Sequence, residues 1–233
     1  VFPTALAEEL APLVHEALQS LEGVIATSSR FDAATSRRTF RLVASDYAMT
    51  ALLAPMMRQM ASEAPHIQLD MVLPGSDTPD RLREGRVDLC LIPEESMLKE
   101  YPADVLVSEN HVVVGWSGNP VFGRTLTEEE FSSLGHVSVS MGSQSDPFVD
   151  RHLSAMGKQR KIDVTVPVFS ALPWMISGTE RIGVLQERLA RAMANHFPIV
   201  WQPLPFEFPP MVIMAQYHEA RRDDGGVAWL RAE

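Results

Sequence analysis

The sequence is poor in cysteine, in basic side chains and in long apolar runs. Cys90 is the single cysteine among 233 residues, which excludes an internal disulfide and a zinc site built from several cysteines. Lys and Arg number 20 against 30 Asp and Glu, a net charge of −10, which argues against the chain itself gripping a nucleic-acid backbone. No apolar run reaches the roughly 18 residues of a membrane span, and no signal peptide opens the chain. We expect a cytoplasmic protein without a membrane partner, which binds small molecules or other proteins.

Signatures of enzymes and metal proteins are also missing. The sequence contains no GxSxG, no Walker loop and no GxGxxG. Its seven histidines form no HxxxH or HExxH pair and have no nearby cysteine or acidic ligand, so a metal site is not expected. No nucleophile stands beside a base. We therefore predict a protein that is not an enzyme and that uses neither metal nor cofactor.

What is present is an alternation of strands and helices. In residues 38–64 a short apolar run leads through Ser45 and Asp46, two good helix caps, into apolar residues at helical spacing. Residues 66–73 alternate as a strand, Thr78 caps a helix with Pro79 at its first position, and residues 86–92 are a nearly continuous apolar strand. This β-α-β-α-β order predicts a mostly parallel sheet.

The same rhythm repeats in a second lobe. Strands at 105–107 and 112–116 have so short a connection that we expect a crossover between lobes rather than a hairpin. A capping box at 127–130 opens the next helix, and a strand at 212–216 returns the chain to the first lobe. The sequence thus predicts an α/β protein of two lobes, 38–110 with 211–233 and 111–210, joined by two crossover strands.

The chain begins with a helical pattern over residues 4–27. Apolar residues at alternating spacings of three and four form a stripe along it. The stripe suits either a helix docked on its own domain or a partner helix in an oligomer, and both interpretations stay open. The first residue is Val1 rather than Met, so we expect a piece of a longer protein. A methionine-rich face on the helix after residue 45 is either core or a dimer interface.

Several segments resemble the LysR-type transcriptional regulators. The start of the chain, FPTA with LAPLV at 10–14, is similar to the junction of that family's winged helix-turn-helix with its linker helix. FDAATSRRTF at 31–40 is similar to the entry into the first strand, and REGRVDL at 83–89 to a recurring turn and strand. Ser45-Asp46, LGHV at 134–137 and residues 181–190 resemble the branch with the nodulation and naphthalene-degradation regulators. The likeness covers nearly the whole chain.

The resemblance implies a periplasmic-binding-protein-like fold of type 2, with two Rossmann-like lobes after a linker helix at residues 1–28. It implies an aromatic small-molecule effector in the cleft between the lobes. It also implies homodimers from side-by-side pairing, tetramers of the full-length protein, and DNA contact only through an absent N-terminal domain.

Candidate effector contacts lie where strands end and helices begin, because ligands of α/β sheets settle there. The helix start after the first strand contributes Ser45, Asp46, Tyr47 and Thr50. The Asp46 carboxylate already occupies the positive end of the helix dipole, so it favours a ligand O–H or N–H over an anion. Plain helix capping is the alternative role of these residues.

The other candidates come from later strand ends. Gly142, Ser143 and Gln144 precede a helix and suit an anion or phenolate, unless they form only a turn. Phe169 and Ser170 offer an aromatic wall and a hydroxyl, although Phe169 also suits a core position. Further contacts are expected from Pro93 and from His111, which is either a phenol partner or a hinge or surface histidine.

The function that combines these features is a ligand sensor. An effector that binds two lobe arrangements with different affinity shifts their equilibrium, and the parent protein then changes its DNA binding. The alternative is a periplasmic-type solute-binding receptor, which uses the same two-lobe logic. An enzyme is the third class, for which the sequence offers no catalytic pair.

Overall fold

A computed structural model describes residues 4–28, 31–140 and 148–233. In these residues the strands are β1 (Thr39–Ala44), β2 (Gln68–Val72), β3 (Leu89–Pro93), β4 (Ala103–Glu109), β5 (His111–Trp116), β6 (Gly135–Val139), β7 (Lys161–Val166), β8 (Ile182–Gln186), β9 (Ile199–Pro203) and β10 (Met211–Gln216). The helices are α1 (Ala5–Ser28), α2 (Asp46–Ala48), α3 (Ala54–Glu63), α4 (Thr78–Arg83), α5 (Glu128–Ser133), α6 (Phe148–Ala155), α7 (Leu172–Ile176), α8 (Glu187–Ala194) and α9 (Gly225–Ala232).

Residue contacts divide the chain into two compact units. Unit 1 combines Val1–Ala44, Pro55–Leu106 and Ile213–Glu233, and unit 2 combines Ser45–Ala54 and Val107–Val212. This division differs from the lobes expected from the sequence mainly at Ser45–Ala54, which groups with unit 2. The predicted crossover is confirmed, because β4 and β5, separated only by Asn110, belong to different sheets.

Unit 1 is built on a five-stranded sheet in the order β2-β1-β3-β10-β4. Strand β1 runs parallel to β2 and β3, as the β-α-β-α-β pattern predicts, whereas β10 runs antiparallel to β3. The sheet is therefore mixed. Its core is a cluster formed by Val43, Leu82, Val87, Cys90 and Ile92. The continuous apolar run of β3 is buried at four of its five positions, which confirms the prediction of a covered strand.

Unit 2 contains the second five-stranded sheet, in the order β7-β6-β8-β5-β9. Strand β6 runs parallel to β7 and β8, and β5 runs antiparallel to β8 and β9. One face packs on a core that includes Val113, Phe131, Leu153 and Val184. Between β7 and β8 the chain forms a 3-10 turn at Phe169–Ala171 followed directly by α7.

Local sequence signals explain most helix boundaries. The capping box before α5 is confirmed, with Thr127 and Glu130 bonded reciprocally. Gly157, just after α6, adopts φ of +67°, a conformation that glycine adopts without steric cost. The predicted role of Thr78 is wrong, because Asp77 is the N-cap of α4. Thr78 is already helical, and its hydroxyl instead accepts a hydrogen bond from Gly75 N at 2.9 Å.

Helix α1 confirms the helical pattern at the start of the chain. Its described apolar side chains are exposed: Leu6, Leu10, Leu13, Val14, Leu18 and Leu21. The described part of the stripe is therefore not buried against the chain's own units. No helix in the described part of the chain is both long and apolar enough to cross a membrane.

Candidate functional site

The segment Ser45–Ala54 carries four of the predicted contacts. Strand β1 ends at Ala44, and Ser45 turns the chain with extended backbone angles while its Oγ accepts a hydrogen bond from Ala48 N at 3.3 Å. The predicted capping role is therefore confirmed for Ser45. After α2 the backbone widens into a π-helical turn at Met49–Leu53, and Thr50 is exposed on it. Such turns are rare in proteins as a whole, but those that occur are often found at functional sites.

Asp46 and Ser170, two predicted contacts that are far apart in sequence, are joined by a hydrogen bond. Asp46 Oδ2 accepts a hydrogen bond from the backbone N–H of Ser170 at 2.7 Å. Its Oδ1 is buried and has no hydrogen-bond partner among the described residues. The neighbouring Phe169 ring meets the Tyr47 ring edge-on, with centroids 6.4 Å apart. The structure thus brings together the helix start and the strand end that the sequence singled out.

Tyr47 is 1% exposed and is anchored by a charged pair. Its hydroxyl donates to Glu109 Oε2 at 2.8 Å. The same carboxylate accepts from Arg188 N at 3.0 Å and from Arg188 Nε at 3.1 Å. Burial, with the nearby Glu109 charge, raises the pKa of Tyr47, so the phenol stays protonated and donates. The Tyr47 hydroxyl is therefore already engaged and is not free to donate to a ligand.

His111 lies at the start of β5 and is 7% exposed, which rules out the surface-histidine alternative. Its ring stacks on Phe148 with centroids 5.1 Å apart and meets Phe208 edge-on at 5.3 Å. Burial, with a smaller effect of His152, lowers the pKa of His111 to about 4. The ring is therefore neutral at pH 7. Its buried Nδ1 finds no hydrogen-bond partner in the residues that the structure describes.

Four predicted contacts remain, Pro93 and residues 142–144. Pro93 ends β3 in unit 1 and is half-buried. Gly142, Ser143 and Gln144 lie outside the described residues, so their role stays a prediction. Within the described ranges, no three His, Cys, Asp or Glu side chains gather as metal ligands.

Glu109 and Arg188 were not predicted as site residues from the sequence. A signal for Glu109 existed: it is an acidic residue at the point where the chain crosses from one predicted strand to the next. A carboxylate at such a place needs a partner once it is buried. Its partner could not be predicted from the sequence, because Arg188 is 79 residues further along the chain.

The fold and the sequence relatives of the chain identify its family. Two mixed sheets flanked by helices form the periplasmic-binding-like fold of type 2, as the sequence predicts. The family described as the LysR substrate binding domain matches residues 33–233. Nodulation protein D 2 of Rhizobium tropici is 35% identical over 230 residues, which span 98% of this chain and 73% of that protein. The chain belongs to the LysR family of transcriptional regulators.

Solved structures agree. A probable transcriptional regulator from Pseudomonas aeruginosa superposes with a TM-score of 0.82 at 28% identity, covering 99% of this chain and 76% of that chain. The effector-binding domain of QuiR in complex with shikimate has a TM-score of 0.66 at 13% identity, covering 83% and 96%, which shows the fold alone.

The predicted function class is confirmed by these relatives. The chain is the effector-binding domain of a LysR-type regulator, a family that binds small-molecule effectors and oligomerises. Its relatives are regulators rather than enzymes, and they give the periplasmic receptor alternative no support.

Proposed function

We propose that the effector of this domain is a small aromatic molecule with a hydrogen-bond donor, and that Ser45, Asp46, Thr50, Phe169 and Ser170 contribute to its site. The observation that carries the proposal is the buried Asp46 Oδ1, which has no hydrogen-bond partner among the described residues, while Oδ2 of the same carboxylate accepts from Ser170 N. A buried acceptor without a donor costs about 1–3 kcal/mol, which a ligand donor recovers on binding.

The chemistry of the segment selects the kind of donor. The Asp46 carboxylate lies in the first turn of the helix and disfavours an anionic group there. A phenolic O–H or an N–H offers the missing hydrogen, and Phe169 offers an aromatic face. The likeness to nodulation protein D supports an effector site in this domain but does not select its chemistry. The cyclohexene acid shikimate bound by QuiR marks the non-aromatic alternative that must be tested beside it.

A thermal-shift screen with matched ligands tests this proposal. The panel pairs hydroxylated aromatics, among them salicylate and flavonoids, with their O-methyl ethers, and adds shikimate and aliphatic acids. A ligand at 100 times its dissociation constant stabilises the folded chain by about 2.7 kcal/mol. We expect stabilisation by a hydroxylated aromatic and its loss on O-methylation. Stabilisation by aliphatic or alicyclic acids alone contradicts the aromatic effector.

Asp46→Asn provides a matched variant. The amide oxygen keeps the bond to Ser170 N, while an NH₂ group replaces the unpartnered acceptor. We expect the preference to invert, so that the O-methyl ether binds as well as or better than the parent phenol. An unchanged preference in Asp46→Asn contradicts a role of Asp46 as the acceptor.

A further inference from the structure

We infer that Glu109 is a positioning residue that, through Tyr47, holds the turn at residues 45–50 in the conformation that presents Ser45 and Asp46 to the effector. The inference rests on the proposed function in one respect, that Ser45 and Asp46 contact the effector. The contacts that support it lie within unit 2 and do not involve the effector.

The first step is the connection that Glu109 makes. Its side chain is 4% exposed, and its two oxygens join α2, through Tyr47, to the start of α8, through Arg188. Three bonds of 2.8–3.1 Å converge on this one carboxylate. A group with partners on two separate elements fixes their relative position, because moving either element leaves a buried polar atom unpaired.

The second step is the position of the turn in the chain. The residues before Ser45 and after Ala54 belong to unit 1, so ten residues of unit 2 are inserted between two stretches of unit 1. The segment belongs to neither sheet, and side-chain hydrogen bonds connect it to unit 2. Asp46 supplies one anchor through Ser170 N, and Tyr47 supplies the other through Glu109.

The third step is energetic. A buried carboxylate carries a desolvation penalty, and apolar residues of similar volume are often as stable or more stable in its place. Arg188, its cation, has a side chain that is 52% exposed, so the pair is only partly shielded and contributes little to overall stability. Its directional bonds nevertheless specify one position of Tyr47. Position, rather than overall stability, is what this cluster supplies.

Amide hydrogen exchange of the 233-residue chain without ligand tests the inference. Tyr47→Phe removes the hydroxyl and keeps the ring, and Glu109→Gln removes the charge and keeps the shape. In both variants we expect the amides of residues 48–54 to exchange at least about tenfold faster, while amides of β5 and β8 stay within about twofold of the wild type. The double variant should show no more than the larger single effect, because both changes break one connection.

Glu187→Gln is the matched control. Glu187 lies on α8 beside Arg188, and its Oε1 accepts from Arg191 Nε at 3.1 Å in an exposed ion pair. The substitution breaks that pair. Exchange in residues 48–54 should not change in this variant. Uniform acceleration throughout unit 2 in Tyr47→Phe and Glu109→Gln, or no acceleration in residues 48–54, overturns the inference. Failure of every aromatic to stabilise the wild type overturns only the proposed function, because the exchange is measured without ligand.

Discussion

Each unit contains a buried carboxylate cluster, and the two clusters are built differently. In unit 1, Asp88 and Asp224 face Arg38 and Arg221, two anions against two cations. Arg38 bonds both carboxylates, at 2.8 Å to Asp88 and 2.6 Å to Asp224, and Arg221 lies 3.6 and 3.5 Å from them. In unit 2, the single carboxylate of Glu109 has one half-exposed cation and a phenol.

The difference shows what each cluster stabilises. Asp224 also caps α9, accepting from Gly226 N and Val227 N, and Asp88 accepts from Arg41 N at 2.8 Å. The unit 1 cluster therefore ties β1, β3 and the C-terminal helix together, and the architecture depends on it. The unit 2 cluster instead fixes one short segment beside the proposed effector contacts. We expect loss of the first cluster to unfold the unit and loss of the second to loosen a turn.

The largest expected effect is that of Asp224→Ala. The change removes a helix cap and leaves Arg38 without one of its two carboxylates, in a site where the Asp224 side chain is 1% exposed. Removing one partner of a buried pair costs about 3–5 kcal/mol, and urea denaturation measures it. Asp80→Ala, which breaks an exposed pair with Arg83, should cost less than about 1 kcal/mol. Similar losses in both variants contradict the architectural role of the cluster.

A second prediction compares the units in acid. Burial alone raises the pKa of Asp224, but the hydrogen bond and charge of Arg38 outweigh it, so the net pKa is lowered. The stability that Asp224 contributes is therefore present above its unfolded pKa of about 3.9 and is lost only as the pH falls below that value. In unit 2, burial lowers the pKa of His111 and of His136 to about 4. These histidines are protonated below about pH 6.5 in the unfolded chain but only below about pH 4 in the folded chain. The folded state is therefore destabilised as the pH falls from about 6.5 to about 4.

His111→Phe isolates this effect. The phenylalanine keeps the stack on Phe148 and removes a titrating group that contributes up to about 3 kcal/mol of pH dependence between pH 6.5 and 4. We expect the variant to lose less stability than the wild type over that window, in denaturation curves at both pH values. His136 stays in place, so part of the acid sensitivity remains. An unchanged pH dependence means that His111 titrates normally in the folded chain.

Much of the fold could be predicted because its signals are local. Apolar periodicity, the capping box at Thr127 and the glycine after α6 act within a few residues. The family likeness supplied the rest of the architecture. The grouping of Ser45–Ala54 with unit 2 was not readable, because it depends on contacts from Asp46 to Ser170 and from Tyr47 to Glu109, which span 124 and 62 residues.

The candidate site divides in the same way. The helix cap at Ser45 and the polar strand end at Ser170 were visible as residue types in the right places. The position of Tyr47 at the helix start was predicted correctly. Its burial was not predicted, because helical spacing does not identify the residue that accepts a hydrogen bond from its hydroxyl. The burial of His111 depends on two phenylalanines, Phe148 stacked on its ring and Phe208 edge-on to it, which belong to segments about 40 and 100 residues away in the chain.

Within the unit 2 cluster, Tyr47→Phe is expected to have a smaller effect on overall stability than Asp224→Ala has in unit 1. The Tyr47 hydroxyl makes one hydrogen bond to Glu109, and Glu109 keeps Arg188 when the hydroxyl is removed. Because the acceptor is charged, the free energy of unfolding should fall by about 1.5–3 kcal/mol, below the loss in Asp224→Ala, in the same urea experiment. Since the variant remains folded, faster exchange in residues 48–54 then reports a loosened turn and not an unfolded domain. A loss as large as that of Asp224→Ala makes the unit 2 cluster architectural as well, and the contrast between the two clusters disappears.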